Sequence, residues 1–459
     1  MPGLGNWRTI YSLEFLQLKE EGYPVEDFLN EEHGQYLPVR DTISVKNEND
    51  NIPEKEWERA YNTLCKVREK GIAKDFPYCE PNDYNEIIAC AKQVPELRPL
   101  DDKRYMEKLR GAWFGRCAGV VLGKPFESNL NRLFIKEYLE SLDAYPLNDY
   151  VPEYSEKLDI RLRCPGSTKR KIAFVEDDDD TRYTVLALLL AESKGLDFTK
   201  YDICQNVLQN VPYTELWSAI KQTIYNFINM TDDRPYEEQI DEFTTKINPM
   251  REGINGTIRA DFWGYISPAN PRRAARIAHK EASLNMVKNG LYGAMFAAAC
   301  ISGALSKNPS IDTIIDCGIS VIPSKSRLAK VIEEVRAWYQ KDKDWTKTCD
   351  RIYEKYGHLP FAGGLNNLAI IVLSLLHGEL DFTKSITTAV MCGMDTDCNA
   401  GTVGSIVGAA IGYENIEPKW ITPFNDTIKT CASKFTQGSI SELVERTFRV
   451  YQNVKGVEI

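Results

Sequence analysis

Gly393-Met394-Asp395-Thr396-Asp397-Cys398-Asn399-Ala400-Gly401 is the stretch on which the reading of the fold turns. Two carboxylates stand one residue apart, and a run of small residues follows: Gly401, Gly404, Ser405, Gly408, Ala409, Ala410, Gly412. Glycines at 404, 408 and 412 share one face of a helix, because residues four apart stack on one side. A face without side chains lets another helix approach closely. The free backbone amides at a helix start suit acidic residues there. The stretch therefore reads as a buried helix whose N-terminus holds Asp395 and Asp397 at a metal site. Two capping aspartates on a core helix fit the same residues, since Asp is a common N-cap, and spacing alone leaves both readings open.

A matching partner lies upstream. A helix begins near Lys103, and Gly111, Gly115, Gly119 and Gly123 recur on one of its faces. Each interior glycine costs about 1 kcal/mol relative to alanine, so the row needs a reason, and close packing against a second helix supplies one. Pro125 in Lys124-Pro125-Phe126-Glu127 ends that helix. Further helical stretches are expected at 183–193, 199–209, 213–228, 271–286, 290–306, 326–340, 344–356, 365–377, 381–391, 397–412 and 438–451, and period-two alternation is nearly absent. The expected fold is all-α, with residues 101–459 as one large multi-helix domain. Residues 1–100 are expected to form a helical extension, with helices over 11–21, 54–70 and 84–93 and a polar loop over 41–53.

Composition narrows the function classes. Of 459 residues, 43% are hydrophobic and 27% charged, enough for a large core. A net charge of −10 argues against non-specific nucleic-acid binding and against anionic membrane surfaces. No run of about 18 apolar residues predicts a membrane span. The first residues carry no apolar run of signal-peptide type. The 12 cysteines are scattered without a CxxC pair and read as reduced thiols, so a cytoplasmic location is expected. Four dispersed histidines suggest no zinc site.

The acidic run Glu176-Asp177-Asp178-Asp179-Asp180-Thr181 leads directly into the apolar stretch Val185-Leu186-Ala187-Leu188-Leu189-Leu190. Adjacent carboxylates at the start of a core element repel unless cations neutralise them. Hard oxygen donors of this kind select Mg²⁺, Mn²⁺ or Ca²⁺. Set beside Asp395 and Asp397, they make a two-metal site. For Glu127, spacing does not separate a helix-end glutamate from a ligand or general acid/base. Gly253-Ile254-Asn255-Gly256-Thr257-Ile258-Arg259 fits an ordinary turn or an amide-lined phosphate loop. Asn289-Gly290-Leu291-Tyr292-Gly293-Ala294 suggests tight helix packing, with Tyr292 as a core residue.

Together these stretches resemble the ADP-ribosylglycohydrolase family, which includes dinitrogenase-reductase-activating glycohydrolase and the ADP-ribosylarginine and ADP-ribosylserine hydrolases. Gly111 to Glu127 is similar to the family's first motif. Asp178-Asp179-Asp180-Thr181 is similar to its Thr/Ser-Asp-Asp-Thr metal motif, and Gly393 to Cys398 with the helix after it to its last. The resemblance spans about residues 103–415. It implies an orthogonal all-α domain with two magnesium ions, manganese being an alternative. The ligand set it implies is Asp178, Asp179, Asp180, Asp395, Asp397 and Cys398, with Glu127, Asp179 and Asp397 carrying the chemistry. Asn255, Gly256, Arg259, Asn289, Gly290 and Tyr292 are implied to contact the substrate. The implied reaction is hydrolysis of the N- or O-glycosidic bond at C1″ of ADP-ribose on a protein or small molecule. A glycohydrolase of a small ribosylated or nucleotide-like metabolite, and a non-catalytic ADP-ribose-binding relative, are the alternatives.

Four departures stand out. Asp178 occupies a position that is Thr or Ser in many members, and Cys398 one that is a ligating Thr in several. Val120 replaces the Asp of the common Gly-Asp pair. Asn285-Met286 stands in place of Ser/Thr-His.

Overall fold

The computed structural model describes residues 3–33, 52–127, 131–230 and 233–457, so residues 41–51 of the expected polar loop lie outside the described residues. Helices dominate it, and the sheets among the described residues are two antiparallel hairpins. Most expected helices are present with ends shifted by a few residues: Asp179–Lys194, Lys288–Ala304, Gly364–Gly378 and Thr396–Ile411 are examples. The short helices Arg132–Ser141, Tyr236–Thr245 and Ile311–Ile319 were not read from the sequence. Nor was the hairpin Thr427–Ala432/Phe435–Ser439.

The helix Asp102–Gly123 starts with Asp101 capping Arg104 N. It lies antiparallel against Thr396–Ile411. Gly111 faces Gly408, Gly115 faces Gly404, Gly119 faces Ala400 and Gly123 faces Thr396. At each of the four, an added Cβ would land on the carbonyl oxygen of the opposite helix. The two backbones therefore touch directly, which accounts for Gly111, Gly115, Gly119 and Gly123 on one helix and Gly404 and Gly408 on the other. A large apolar core running from Ile87 to Val454 surrounds this pair.

The N-terminal region has a small core of its own, with Ile10, Tyr11, Phe15 and Leu18 of helix Trp7–Glu20 packed on Trp57, Tyr61 and Leu64 of helix Glu54–Cys65. Buried ion pairs seat it on the rest of the chain. Arg251 binds Glu14 at 2.9 Å and Glu21 at 2.7 Å, and Arg327 binds Glu80 at 2.7 Å and Glu252 at 2.8 Å.

An alanine in place of a glycine usually stabilises a solvent-facing helix by about 1 kcal/mol. At Gly119 the sign reverses, because the methyl group has no room against Ala400 O. Gly119→Ala should destabilise the protein by about 3 kcal/mol. Chemical denaturation of both proteins checks this, and an unchanged or higher midpoint would refute the backbone contact.

Candidate active site

Antiparallel packing brings the end of the first striped helix to the start of the second. Thr396 Oγ1 donates to Gly123 O at 2.8 Å, so the turn Lys124–Phe126 and Glu127 behind it come out beside Asp395 and Asp397. Gly393 and Met394 both hold left-handed backbone (φ +75° and +60°), which turns the chain sharply into that helix. Asn367 Oδ1 fixes the turn by accepting from Asp395 N at 3.2 Å and Asn399 Nδ2 at 2.8 Å.

A third segment arrives from the helix Asp179–Lys194. Asp178 is its N-cap, and Asp178 Oδ1 accepts Asp180 N at 3.0 Å. The missed hairpin places this segment. Val175 N donates to Thr427 O and Lys429 N to Val175 O, each at 2.9 Å. Asp177 is drawn away from the cluster, paired with Arg182 at 2.6 Å and accepting Cys431 N at 2.8 Å. Arg116, fully buried on the first striped helix, ties the segments together. It donates to Asp180 Oδ1 at 2.8 Å, Asp180 O at 2.9 Å, Ile258 O at 3.1 Å and Thr402 Oγ1 at 3.1 Å.

The result is a crowd of carboxyl groups. Oxygens of Asp178, Asp179 and Asp180 lie within 4.8 Å of one another, as do donor atoms of Asp180, Asp397 and Cys398. Cys398 Sγ donates to Asp180 Oδ2 at 3.0 Å. The charge of Asp397, then burial, pushes the Glu127 carboxyl up to about 9. Burial, then the charges of Asp178 and Asp397, pushes Asp179 up to about 7. Burial, then Asp178, pushes Asp397 up to about 6. Asp180 and Asp395 are raised by burial and, next among the raising causes, by Asp397.

These donors fit a hard divalent cation. All but the thiol are oxygens, buried or half-buried, at spacings one ion can bridge. The chain's own cations leave the cluster short of positive charge. Arg116 pairs with Asp180 and Lys124 with Asp178, while no ion pair among the described residues reaches Asp179, Asp395, Asp397 or Glu127.

The residues expected at the substrate fall into two groups. Arg259 is buried and bonded to Asn255 Oδ1 at 2.7 Å, Asn285 Oδ1 at 3.0 Å and Glu281 at 2.9 Å. Gly256 lies against Gly290 O, so the short helix Asn255–Ile258 packs on the start of the helix Lys288–Ala304. This unit reaches the carboxylates through the Arg116 bond to Ile258 O. Asn289 and Tyr292 face elsewhere: Asn289 Nδ2 binds Glu80 and Glu252, and Tyr292 OH donates to Pro81 O. Arg116, Lys124 and Asn367 were not singled out as site residues. Arg116 had a visible signal, a lone charge inside the otherwise apolar second half of its helix, residues 111–123. Lys124 and Asn367 had none.

The sequence profile of the ADP-ribosylglycohydrolase family matches residues 101–455. The chain belongs to the ADP-ribosylglycohydrolase family. A solved structure titled "ADP-ribosylglycohydrolase-related protein complex" is similar in fold, with a TM-score of 0.50 at 16% identity, covering 76% of this chain and 99% of that one. No curated protein matches the sequence. Membership in this glycohydrolase family supports a glycosidic-bond hydrolase, and the all-α expectation agrees with the structure. None of the described helices is long and apolar enough to cross a membrane.

Two predictions follow from the crowding. Carboxyl groups whose folded pKa lies above the unfolded value bind protons more tightly in the native state. Their contribution to stability is therefore greatest at low pH and is lost as pH rises from about 4, where unfolded carboxylates titrate, through the folded values. Without divalent cations the melting temperature should fall by a few degrees between pH 5 and pH 9. Saturating magnesium should flatten that slope, because it takes the place of the protons. Identical slopes in chelator and in magnesium would show that the cluster takes no cation. The second concerns Cys398, whose neutral thiol is a poor donor to a hard ion. Cys398→Thr should tighten magnesium binding severalfold with activity kept or raised, and superimposable titrations would place Cys398 outside the coordination shell.

Proposed function

We propose that this protein is a magnesium-dependent hydrolase that cleaves the glycosidic bond at C1″ of ADP-ribose from a modified protein side chain or small molecule. The observation that carries this reading is the convergence of Glu127, Asp179, Asp180, Asp395 and Asp397, from three distant segments, with too few internal cations to neutralise them. Asp179, Asp180, Asp395 and Asp397 would hold the metal ions, with Cys398 at the edge of the set. Bound divalent cations supply grip on vicinal ribose hydroxyls and lower the pKa of water.

The chain's own residues do the rest. Glu127 is held beside the cluster by the turn Lys124–Phe126 and is only half-buried, so a substrate can reach it. Its carboxyl stands next to Asp397, whose charge, followed by burial, raises its pKa. It can therefore give a proton to the departing nitrogen or oxygen, or take one from the attacking water, as hydrolysis of a glycosidic bond requires. Water adds to C1″, the bond to the leaving atom breaks, and ribose gains a hydroxyl while the leaving group gains a proton. Asn367 and Arg116 keep Asp395 and Asp180 in position during the reaction. Asn255, Gly256, Arg259 and Gly290 form a buried unit of two helix starts that supports the wall of the site next to Asp180. Asn289 and Tyr292 act in seating the N-terminal region.

A release assay tests the proposal. The protein is incubated with ADP-ribosyl-arginine, ADP-ribosyl-serine peptide, ADP-ribose-1″-phosphate and simple ribosides, in magnesium and in chelator. Magnesium-dependent release of ADP-ribose from at least one ADP-ribosyl compound is expected. Asp397→Asn should lower the rate by about a hundredfold or more while the fold persists. Turnover of ribosides alone would assign a small-metabolite glycohydrolase, and turnover of none would overturn the hydrolase reading.

A further inference from the structure

The fold brings several cysteines together in twos. Cys300 stands beside Cys317, and the Cys392 thiol meets that of Cys349, but all four are buried. Cys79 and Cys90 are different. Cys79 is exposed, Cys90 is half-buried, and their thiols are in hydrogen-bonding contact. One turn of the chain holds both backbones. Cys79 N donates to Lys325 O and Ser324 N donates to Cys90 O, each at 3.0 Å, and Ala91 is bridged to Pro323. The segment between the two cysteines is a strap across the seat of the N-terminal region. Glu80 accepts Asn289 Nδ2 and Arg327 N, each at 2.8 Å, and Asn82 Oδ1 accepts Lys288 N at 2.8 Å. Asp83 then caps the helix Tyr84–Ala89, and Cys90 ends it. The two thiols therefore meet at the neck of the strap. Burial and the Cys90 thiol raise the Cys79 thiol, while the Lys325 ammonium acts the other way.

We propose that Cys79 and Cys90 are a redox modification site, a dithiol that a low-molecular-weight disulfide such as oxidised glutathione converts into an intramolecular disulfide closing the strap. The exposed Cys79 sulfur attacks the glutathione disulfide. That S–S bond breaks, a Cys79–glutathione bond forms, and one reduced glutathione leaves with the Cys79 proton. Cys90 then attacks the Cys79 sulfur, and the second glutathione leaves with the Cys90 proton. The two cysteines lose two electrons, and the glutathione disulfide gains them. The second step is intramolecular between groups already in contact, so the mixed disulfide does not persist. The bond closes a ring around residues 80–89 and holds Glu80 against Arg327 and Asn289. Closure removes open states of the strap that the reduced chain can sample. None of this depends on the carboxylate cluster or on its metal reading.

Peptide mass mapping tests this directly, because Lys74 and Lys92 bracket both cysteines in one tryptic peptide, residues 75–92, that holds no other cysteine. The folded full-length protein is incubated with oxidised glutathione at about pH 8, where thiolate is plentiful. Remaining thiols are alkylated in denaturant, and the digest is run without reductant. The peptide should appear unalkylated and two hydrogens lighter than its dithiol form, and excess reduced glutathione should restore the dithiol. In Cys90→Ser, glutathione should stay on Cys79. In Cys79→Ser, glutathione should add to the half-buried Cys90 about tenfold more slowly than it adds to Cys79. Amide hydrogen exchange over residues 80–89 should slow severalfold on oxidation of the parent and stay unchanged in Cys90→Ser. Persistent glutathione on Cys79 of the parent, a bond from either residue to a third cysteine, or two free thiols after treatment would overturn the pairing. A linked peptide with unchanged hydrogen exchange would overturn the closure of the strap.

Discussion

Direct backbone contact between two glycine-striped helices is the constraint on which the rest of the structure depends. Ordinary helix pairs are held about 8–10 Å apart by side chains. Here Asp102–Gly123 and Thr396–Ile411 meet carbonyl to Cα along four successive turns. Glycines four apart on both partners restrict the pairing to registers one turn apart, and the Thr396 Oγ1 bond to Gly123 O marks the one adopted. A slip would set Phe114 or Val120 of one helix, or Ile406 of the other, against a backbone. Because the helices run antiparallel, that register also fixes which ends coincide. The end of one delivers Lys124 and Glu127, and the start of the other delivers Asp395 and Asp397. The site is thus placed by packing that contains no functional group.

Placement of so many carboxylates is costly, and the structure manages it by sorting them. Asp177 goes to Arg182, Asp180 to Arg116 and Asp178 to Lys124. Helix starts at Asp179 and Thr396 add the partial positive charge of their free amides. Glu127, Asp179, Asp395 and Asp397 remain without a cationic partner among the described residues. Their raised pKa values express burial first for Asp179, Asp395 and Asp397 and the charge of Asp397 first for Glu127. The folded scaffold, not the cluster, holds them together, since each is fixed by helix ends whose stability comes from apolar burial elsewhere.

What could be read in the sequence is what repeats or stands out locally. Gly111, Gly115, Gly119 and Gly123 announce their role by spacing, and Asp178 to Asp180 by density ahead of an apolar run. What could not be read depends on distant pairing. Thr427–Ala432 buries Ile428, Thr430 and Ala432 in alternation, but six residues with Lys429 and two threonines look like a loop. Its strand identity comes from the adjoining Phe435–Ser439 and from Val175, which alone is far away in the chain. Yet it orients the acidic run by holding Val175 and donating Cys431 N to the Asp177 carboxylate. The pairing of Lys124 with Asp178 is hidden for the same reason. Likewise, Asn289 and Tyr292 sit in a motif-like stretch, and only the structure shows that their polar atoms serve Glu80, Glu252 and Pro81.

That last contact carries a further consequence for the N-terminal region. Its seat is made of charges that become costly when unpaired: Glu14 is fully buried against Arg251 and Arg68, and Glu252 against Arg327. Buried ion pairs add little net stability compared with apolar contacts, but a mispaired one is penalised by several kcal/mol. Such a seat therefore favours a single docking position over a set of similar ones. Glu252 occupies the centre of it. Its side chain binds Arg327 and Asn289, while its carbonyl accepts Gly364 N at 3.1 Å. Gly364 begins the helix that carries Asn367, the residue holding Asp395 N. The N-terminal region is thus built onto the same short stretch of backbone that supports the second acidic turn, and a seat of high specificity there keeps both in one arrangement.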